Sequence, residues 1–387
     1  MILMRTYMRR LLTASLGLAG CLAVLHTNSL AQTAPPKPPP DVLVLNDDEK
    51  LVGHFVRSNG GDVKFKSDVL GEVTIPWSKV KELHAGGNYT VVGKDIKLGR
   101  RSDTSKLPKG SLAATDKQIT VTAAPGAATA TIPVADAAHV IESTEFEQQV
   151  MRTPGFGEDW AGSINAGATL VEATQQSRTF NGGFALVRAV PIEAWLDPRN
   201  RTSVDFSFAS GIVKQPGAAE IKTDIIHGDL ERDEYFSTRR MYGFAQASFD
   251  HNYSQGLGLG AQLGGGLGWT AVKSAVNVLD AKVSITYLHQ SFDGSTSLNK
   301  SLVASNFAEA FTHKFKHGVV LTQTVSATPT WNIANDWLAN ASVGLLVPAY
   351  KRLNIALGAV DSYLNNPPPG FKKNSFQLTT GLTYTLK

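Results

Sequence analysis

Residue types able to do covalent chemistry are thinly spread through this 387-residue chain. The best candidate is Leu288-His289-Gln290-Ser291, which sets an imidazole base two residues from a hydroxyl nucleophile. In a β-strand the side chains alternate, so His289 and Ser291 share one face. A base must lie within hydrogen-bond reach of the hydroxyl it activates, and the chemistry would be hydrolysis of an acyl bond. Asp293 follows as a third member, although it falls in turn sequence. The competing reading is that polar residues here mark the end of a strand.

Other chemistry finds less support. Nine histidines are present, but no HExxH motif and no clustered Cys/His spacing, so no metal site is expected. GLGLGAQLGGGLG (256–268) is not followed by a helix, and most of its glycines share one face of a strand. It reads as small lumen-facing residues rather than a phosphate loop. Gly93-Lys94 lacks the rest of a nucleotide loop, and GxSxG is absent. The sequence predicts no cofactor and no enzyme, with His289 and Ser291 as the only catalytic candidates.

The elements that would carry these residues are strands. In SFQLTTGLTYTLK (375–387), Phe376, Leu378, Leu382, Tyr384 and Leu386 fall on one face. Gln377, Thr379, Gly381, Thr383 and Thr385 fall on the other. The same alternation runs through 160–170, 204–209, 257–269, 279–287, 337–347 and 353–359. Runs of about 10–15 residues fit tilted strands crossing a bilayer. Charged residues are only 18% of the chain, against about 25% in soluble proteins. The pattern predicts an all-β chain whose residues 160–387 form a transmembrane barrel of about twelve antiparallel strands. Apolar residues face lipid and small polar ones the lumen, and the last strand closes the ring against 160–170. Val283→Arg should therefore impair insertion, and Lys282→Gln on the opposite face should be tolerated.

Ahead of the barrel, DVLVL, LVGHFV, DVKFK, GEVTIPW and KVKEL read as short strands separated by turns. Val63-Lys-Phe-Lys leading to Thr74-Ile75-Pro76 is echoed by Ile119-Thr-Val-Thr leading to Thr131-Ile132-Pro133. Residues 41–142 are thus read as one small β module, duplicated, with 143–159 as a linker or short helix. Residues 1–31 carry Arg5, Arg9 and Arg10, an apolar run and a Ser29-Leu30-Ala31 cleavage site, which reads as a signal peptide. TAPPKPPP makes 32–40 a Pro-rich spacer. Without the leader the net charge of +4 nearly vanishes, so a nucleic-acid partner is not expected. Leu18-Ala19-Gly20-Cys21 also has the form of a lipoprotein signal, which gives an alternative: a periplasmic β-rich lipoprotein acylated at Cys21.

Three strings resemble a bacterial family, domain of unknown function 481, the salt-induced outer-membrane proteins: residues 60–83, 228–269 and 361–386. The third carries a distinctive NPPPG-x-KKN turn before the closing strand. The resemblance implies a barrel in the bacterial outer membrane with its N-terminal module in the periplasm. It supplies no substrate and no catalytic residues. Expected partners are outer-membrane lipid and, during biogenesis, the barrel assembly machinery; any small-molecule ligand stays unassigned. The expected role is non-enzymatic, in envelope stress or small-solute passage. The alternative built on His289 and Ser291 resembles outer-membrane lipid deacylases.

Overall fold

The structure is a computed structural model that describes residues 39–96, 98, 103–123, 129–172, 176–193, 196–214, 217, 219–236, 240–293 and 298–386. The expected signal peptide (1–31), Cys21 and most of the expected Pro-rich spacer lie outside the described residues.

The first part contains β1 (Asp41–Leu45), β2 (Lys50–Asn59), β3 (Asp62–Ser67), β4 (Gly71–Pro76), β5 (Val80–Gly93), β6 (Lys109–Thr115), β7 (Gln118–Thr122), β8 (Thr129–Pro133) and β9 (Ala137–Glu142). β1 and β9 each pair with both β2 and β5, so these four close a small ring. β3 and β4 extend the sheet from β2, and β6, β7 and β8 extend it from β5. Alternate residues of these strands turn inward, and Leu43, Phe55, Val63, Phe65, Leu83 and Val91 form the core.

The two halves repeat one local design. β3–β4 runs through a 3₁₀ turn into β5, and β7–β8 runs through another into β9. Each turn is entered from a proline, Pro76 or Pro133, in nearly the same extended conformation. Trp77 N donates to Gly61 O (2.8 Å) in the first, and Val134 N donates to Lys117 O (2.9 Å) in the second.

A helical segment covers Ser143–Glu145 and continues as a wider turn over Phe146–Met151. The barrel follows: β10 (Ala161–Glu172), β11 (Gln176–Val190), β12 (Asn200–Lys214), β13 (Ile221–Tyr235), β14 (Met241–Asn252), β15 (Leu257–Lys273), β16 (Asn277–Phe292), β17 (Lys300–Lys314), β18 (Val320–Pro329), β19 (Trp337–Tyr350), β20 (Leu353–Leu364) and β21 (Asn374–Thr385). Each strand pairs antiparallel with the next, and the ring of twelve is closed. β21 meets β10 through Leu382–Thr385 against Ser163–Ala166, and Leu386 N adds a bond to Gly162 O (2.8 Å). Closure leaves the sheet without a free edge strand, which hydrocarbon demands because it offers no partner to a free N–H or C=O; at the seam the pairing is confined to those four residues of each strand.

The apolar faces point outward. Ile285 is 59% exposed and Leu378 72%, values that would be wasteful in water and are natural against lipid chains. Aromatic side chains sit near both rims, with Trp337 stacked on Tyr363 (4.6 Å) and Arg188 over the Trp160 ring (5.1 Å). The helical segment and the barrel share a small core: Phe146 and Val150 pack with Ile141 and Val92 and with Leu196 of the β11–β12 loop. Arg199 in the same loop donates to Val150 O. The module is thereby seated at the barrel end that carries the β11–β12 loop.

Candidate functional site: the barrel lumen and its far mouth

Lumen-facing positions on β13 are the odd ones, and four in succession ionise: His227, Asp229, Glu231 and Asp233. Register places Arg201 of β12 opposite Asp233, and Gln246 of β14 opposite Glu231. Arg201 donates Nε to Asp233 (2.7 Å) and Nη1 to Asp280 of β16 (3.3 Å). Thr270 Oγ1 donates to the other oxygen of Asp280 (2.6 Å). Lys282 Nζ bonds both oxygens of Glu231 (2.5 and 2.6 Å). Charges from β12 and β13 thus reach β16 across the lumen side of β14 and β15.

The glycine row makes that reach workable. β15 turns Gly264, Gly266 and Gly268 toward the lumen between the side chains of β14 and β16. A Cβ on Gly268 would lie 2.2 Å from the Tyr242 ring, and one on Gly264 2.5 Å from Thr286 Cγ2. Tyr242, fully buried, lies under the Arg201 guanidinium (5.5 Å), and Phe244 lies under Lys282 Nζ (5.5 Å).

Lys282 corrects the sequence expectation that its neutralisation is harmless. Its ammonium is held by Glu231, whose side chain is only 5% exposed. Taking away the cation would leave a buried carboxylate uncompensated.

The end of the barrel far from the module is bridged. The turn between β14 and β15 lies six strands from β20–β21 in a ring of twelve, on the opposite wall. Gln255 in that turn donates Nε2 to Ser362 O (3.0 Å) and Lys373 O (2.8 Å), and Ser254 Oγ meets Ser375 Oγ (3.0 Å). Gly256 beside them has φ +64°, and a Cβ there would strike the Phe371 ring at 2.8 Å. Lys300 adds a strut, donating to Asp336 (2.9 Å) and to Asn366 O (3.0 Å). Beside this bridge Leu257, Phe292 and Leu364 pack as a small apolar cluster.

Elsewhere polar side chains of the lumen are accessible to solvent. Asn165, Ser207, Thr322, Thr324 and Asn340 face inward and are exposed. At the module end a cavity of about 210 Å³ sits between the β11–β12 loop and the ion-pair network, with Pro191, Leu196, Arg201, Tyr235 and Asp280 on its walls.

The catalytic candidates fall elsewhere. His289 and Ser291 lie on the outer face of β16, but His289 Nδ1 is hydrogen-bonded with Ser301 Oγ on β17 (3.1 Å). Tyr287 Oη donates to the same hydroxyl (3.1 Å). No carboxylate among the described residues pairs with His289, and Asp293 instead bonds through its backbone N to Gly256 O (2.9 Å). Among the described residues no group of His, Cys, Asp and Glu is arranged to hold a metal. His227 pairs with Asp250 (2.6 Å), His251 with Gly258 O (2.8 Å) and His313 with Asn277 (2.6 Å).

Sequence reasoning missed the ion-pair network and the far bridge. A signal for the first was present in Asp229, Glu231 and Asp233, carboxylates at period two on a strand. Nothing local marks Gln255 as a bridge, because its partners lie 107 and 118 residues away.

In the module two groups titrate abnormally. Burial, with the Asp41 carboxylate alongside, pushes the Tyr89 phenol far above its usual range. Tyr89 donates to Phe55 O (3.0 Å), which fixes it as a core strut. Burial holds His139 of β9 below the ordinary imidazole value, opposed by the charge of Asp197 in the β11–β12 loop.

A family model described as "Protein of unknown function, DUF481" matches residues 164–386, from β10 to the end of β21. The chain belongs to this family. The match covers the barrel and leaves the module outside it. No curated protein matches. Among solved structures, the chain is similar to the translocator domain of the autotransporter NalP from Neisseria meningitidis, with 13% identity, 58% of this chain and 86% of that one covered, and a TM-score of 0.32. It is also similar to the β domain of the Bordetella autotransporter BrkA (10% identity, 59% and 98% covered, TM-score 0.30). A Pseudomonas aeruginosa FadL homologue matches at 9% identity over 77% of this chain and 86% of that one, with a TM-score of 0.24.

Proposed function

We propose that this DUF481 protein is a non-enzymatic barrel of the bacterial outer membrane, whose lumen is a route for small solutes held shut at the far mouth. The observation that carries the reading is the inversion of the barrel wall. Ile285, Phe376 and Leu378 are exposed outside, while Asn165, Ser207 and Thr324 are exposed inside. A soluble protein has no use for the first surface, and the second leaves solvent-accessible polar positions along the lumen that a solute could use. An even number of strands returns both barrel termini to one side, so a periplasmic module puts the bridged mouth and the Asn366–Gly370 loop at the cell exterior. Outer-membrane lipid contacts the apolar band, and the assembly machinery handles the chain while β21 closes on β10.

Passage requires the bridge to part. The test is conductance of the full chain in planar bilayers, with Ser254→Ala/Gln255→Ala compared with the parent. Loosening the bridge should raise the open fraction and leave insertion unchanged. A doubly substituted barrel that inserts normally and conducts nothing contradicts the passage reading.

A further inference from the structure

The lumen wall is electrically lopsided. Asp205, Asp229, Glu231, Asp233, Asp250 and Asp280 all point inward from β12, β13, β14 and β16. Between the two rims, the lumen-facing Lys and Arg among the described residues are Arg201 and Lys282, and carboxylates already hold both. The facing wall offers amides and hydroxyls: Asn165, Asn181, Thr322, Thr324, Asn340 and Thr379.

Within this wall the carboxylates divide into two sets. Glu231, Asp233 and Asp280 are buried and serve the ion-pair network. Asp205, Asp229 and Asp250 are partly exposed to the lumen; His227 Nδ1 pairs with Asp250, and Gln246 Nε2 donates to Asp229 (2.8 Å). Asp205 and Asp229 stand directly opposite each other on neighbouring strands. Like charges in that position repel and weaken a sheet. That repulsion is a cost to the fold, and a passing cation would relieve it. A second observation points the same way. Asp233, two rungs along the same face from Asp229, is 1% exposed; Arg201 holds its Oδ2 (2.7 Å), and its Oδ1 has no hydrogen-bond partner in the structure. With six inward carboxylates against Arg201 and Lys282, the wall carries an excess of negative charge.

We infer that the lumen selects small hydrated cations over anions, with Asp205, Asp229 and Asp250 as the selecting residues. This rests on the passage reading and names the class of solute it admits. Carboxylates set along a pore attract cations and repel anions, and low-dielectric walls concentrate that field. The amide and hydroxyl wall opposite gives the ion a polar surface without a competing charge.

The experiment is the reversal potential of the full chain in planar bilayers under a KCl gradient, using the Ser254→Ala/Gln255→Ala form to hold the mouth open. The expected result is a K⁺ over Cl⁻ permeability ratio above one. Asp205→Asn/Asp229→Asn in the same background should bring the ratio toward one while leaving unit conductance measurable. Unheated electrophoresis verifies that each variant is folded, and the sign in the unsubstituted lumen tests the idea even if the aspartate variant fails to assemble. A ratio at or below one, or a ratio that the aspartate substitutions leave unmoved, overturns cation selection and leaves passage standing. Complete absence of conductance overturns passage itself, and selection with it.

Discussion

The small module and the barrel are built from the same two-faced strands, yet they bury opposite faces. In the module, Val63 and Phe65 on β3 point into a core and are 0% exposed. In the barrel, Phe376 and Leu378 on β21 point outward into what must be lipid. Period two therefore identifies a strand and its faces and does not say which face is inside. Strand length and the chemistry of the second face decide that. β3 has 6 residues and backs its core face with Lys64 and Lys66, which water solvates. β21 has 12 and backs its apolar face with Gln377, Thr379, Gly381 and Thr383, which suit a narrow polar lumen.

One insertion and three substitutions sharpen this contrast. The largest effect should come from inserting one residue after Gly381. Leu382 and Tyr384, which pair with Ala166 and Ile164 at the closing seam, would be turned to the wrong face. The expected outcome is loss of outer-membrane barrel, read as loss of the band that shifts on heating, whereas an insertion in the 366–370 loop leaves that band intact. Next comes Lys282→Gln, which strands the buried Glu231 carboxylate and should cost about 3–5 kcal/mol. Adding Glu231→Gln should recover most of it in denaturant titrations of the refolded barrel. Its neighbour Val283, on the lipid face, gives a somewhat smaller effect: Val283→Arg should cost about 2–4 kcal/mol near the membrane midplane, measured the same way.

The smallest effect belongs to the module. His139 has a folded pKa held below the unfolded value of about 6.5, so between those two values the unfolded chain binds more protons. Its stabilising contribution is present above about pH 6.5 and is lost as pH falls through that value toward the folded one. Module unfolding followed by melting should show this slope, and His139→Gln should flatten it.

Much of this architecture can be read from residues close in sequence. The alternation at 257–269, 279–287 and 376–386 predicts which side chains face lipid, and Leu263, Ile285 and Leu382 are indeed exposed on the outer face. The barrel class and its twelve strands follow from such runs. The working interior does not. Arg201 meets Asp280 across 79 residues, and Gln255 meets Lys373 across 118, so only closure of the ring brings them together. The His289 assignment shows the same limit at short range. Ser291 is two residues along the strand, about 6.7 Å away in rise, while a residue directly across on the neighbouring strand is about 5 Å away. His289 accordingly bonds to Ser301, its partner in the β16–β17 register. Local spacing selects a face, and strand pairing selects the neighbour.

The claim on which everything rests is that the even and odd residues of β21 face different solvents. The one cysteine of the chain is Cys21, in the predicted leader, so single cysteines can be placed along 376–385 and spin-labelled one at a time in liposomes. Collisions with oxygen, which dissolves in lipid, and with a water-soluble nickel relaxant are then measured at each position. Labels at 376, 378, 380, 382 and 384 should favour oxygen, and labels at 377, 379, 381, 383 and 385 should favour nickel, in strict alternation. Equal accessibility at neighbouring positions, or nickel preference throughout, would contradict a closed barrel with lipid outside and water within.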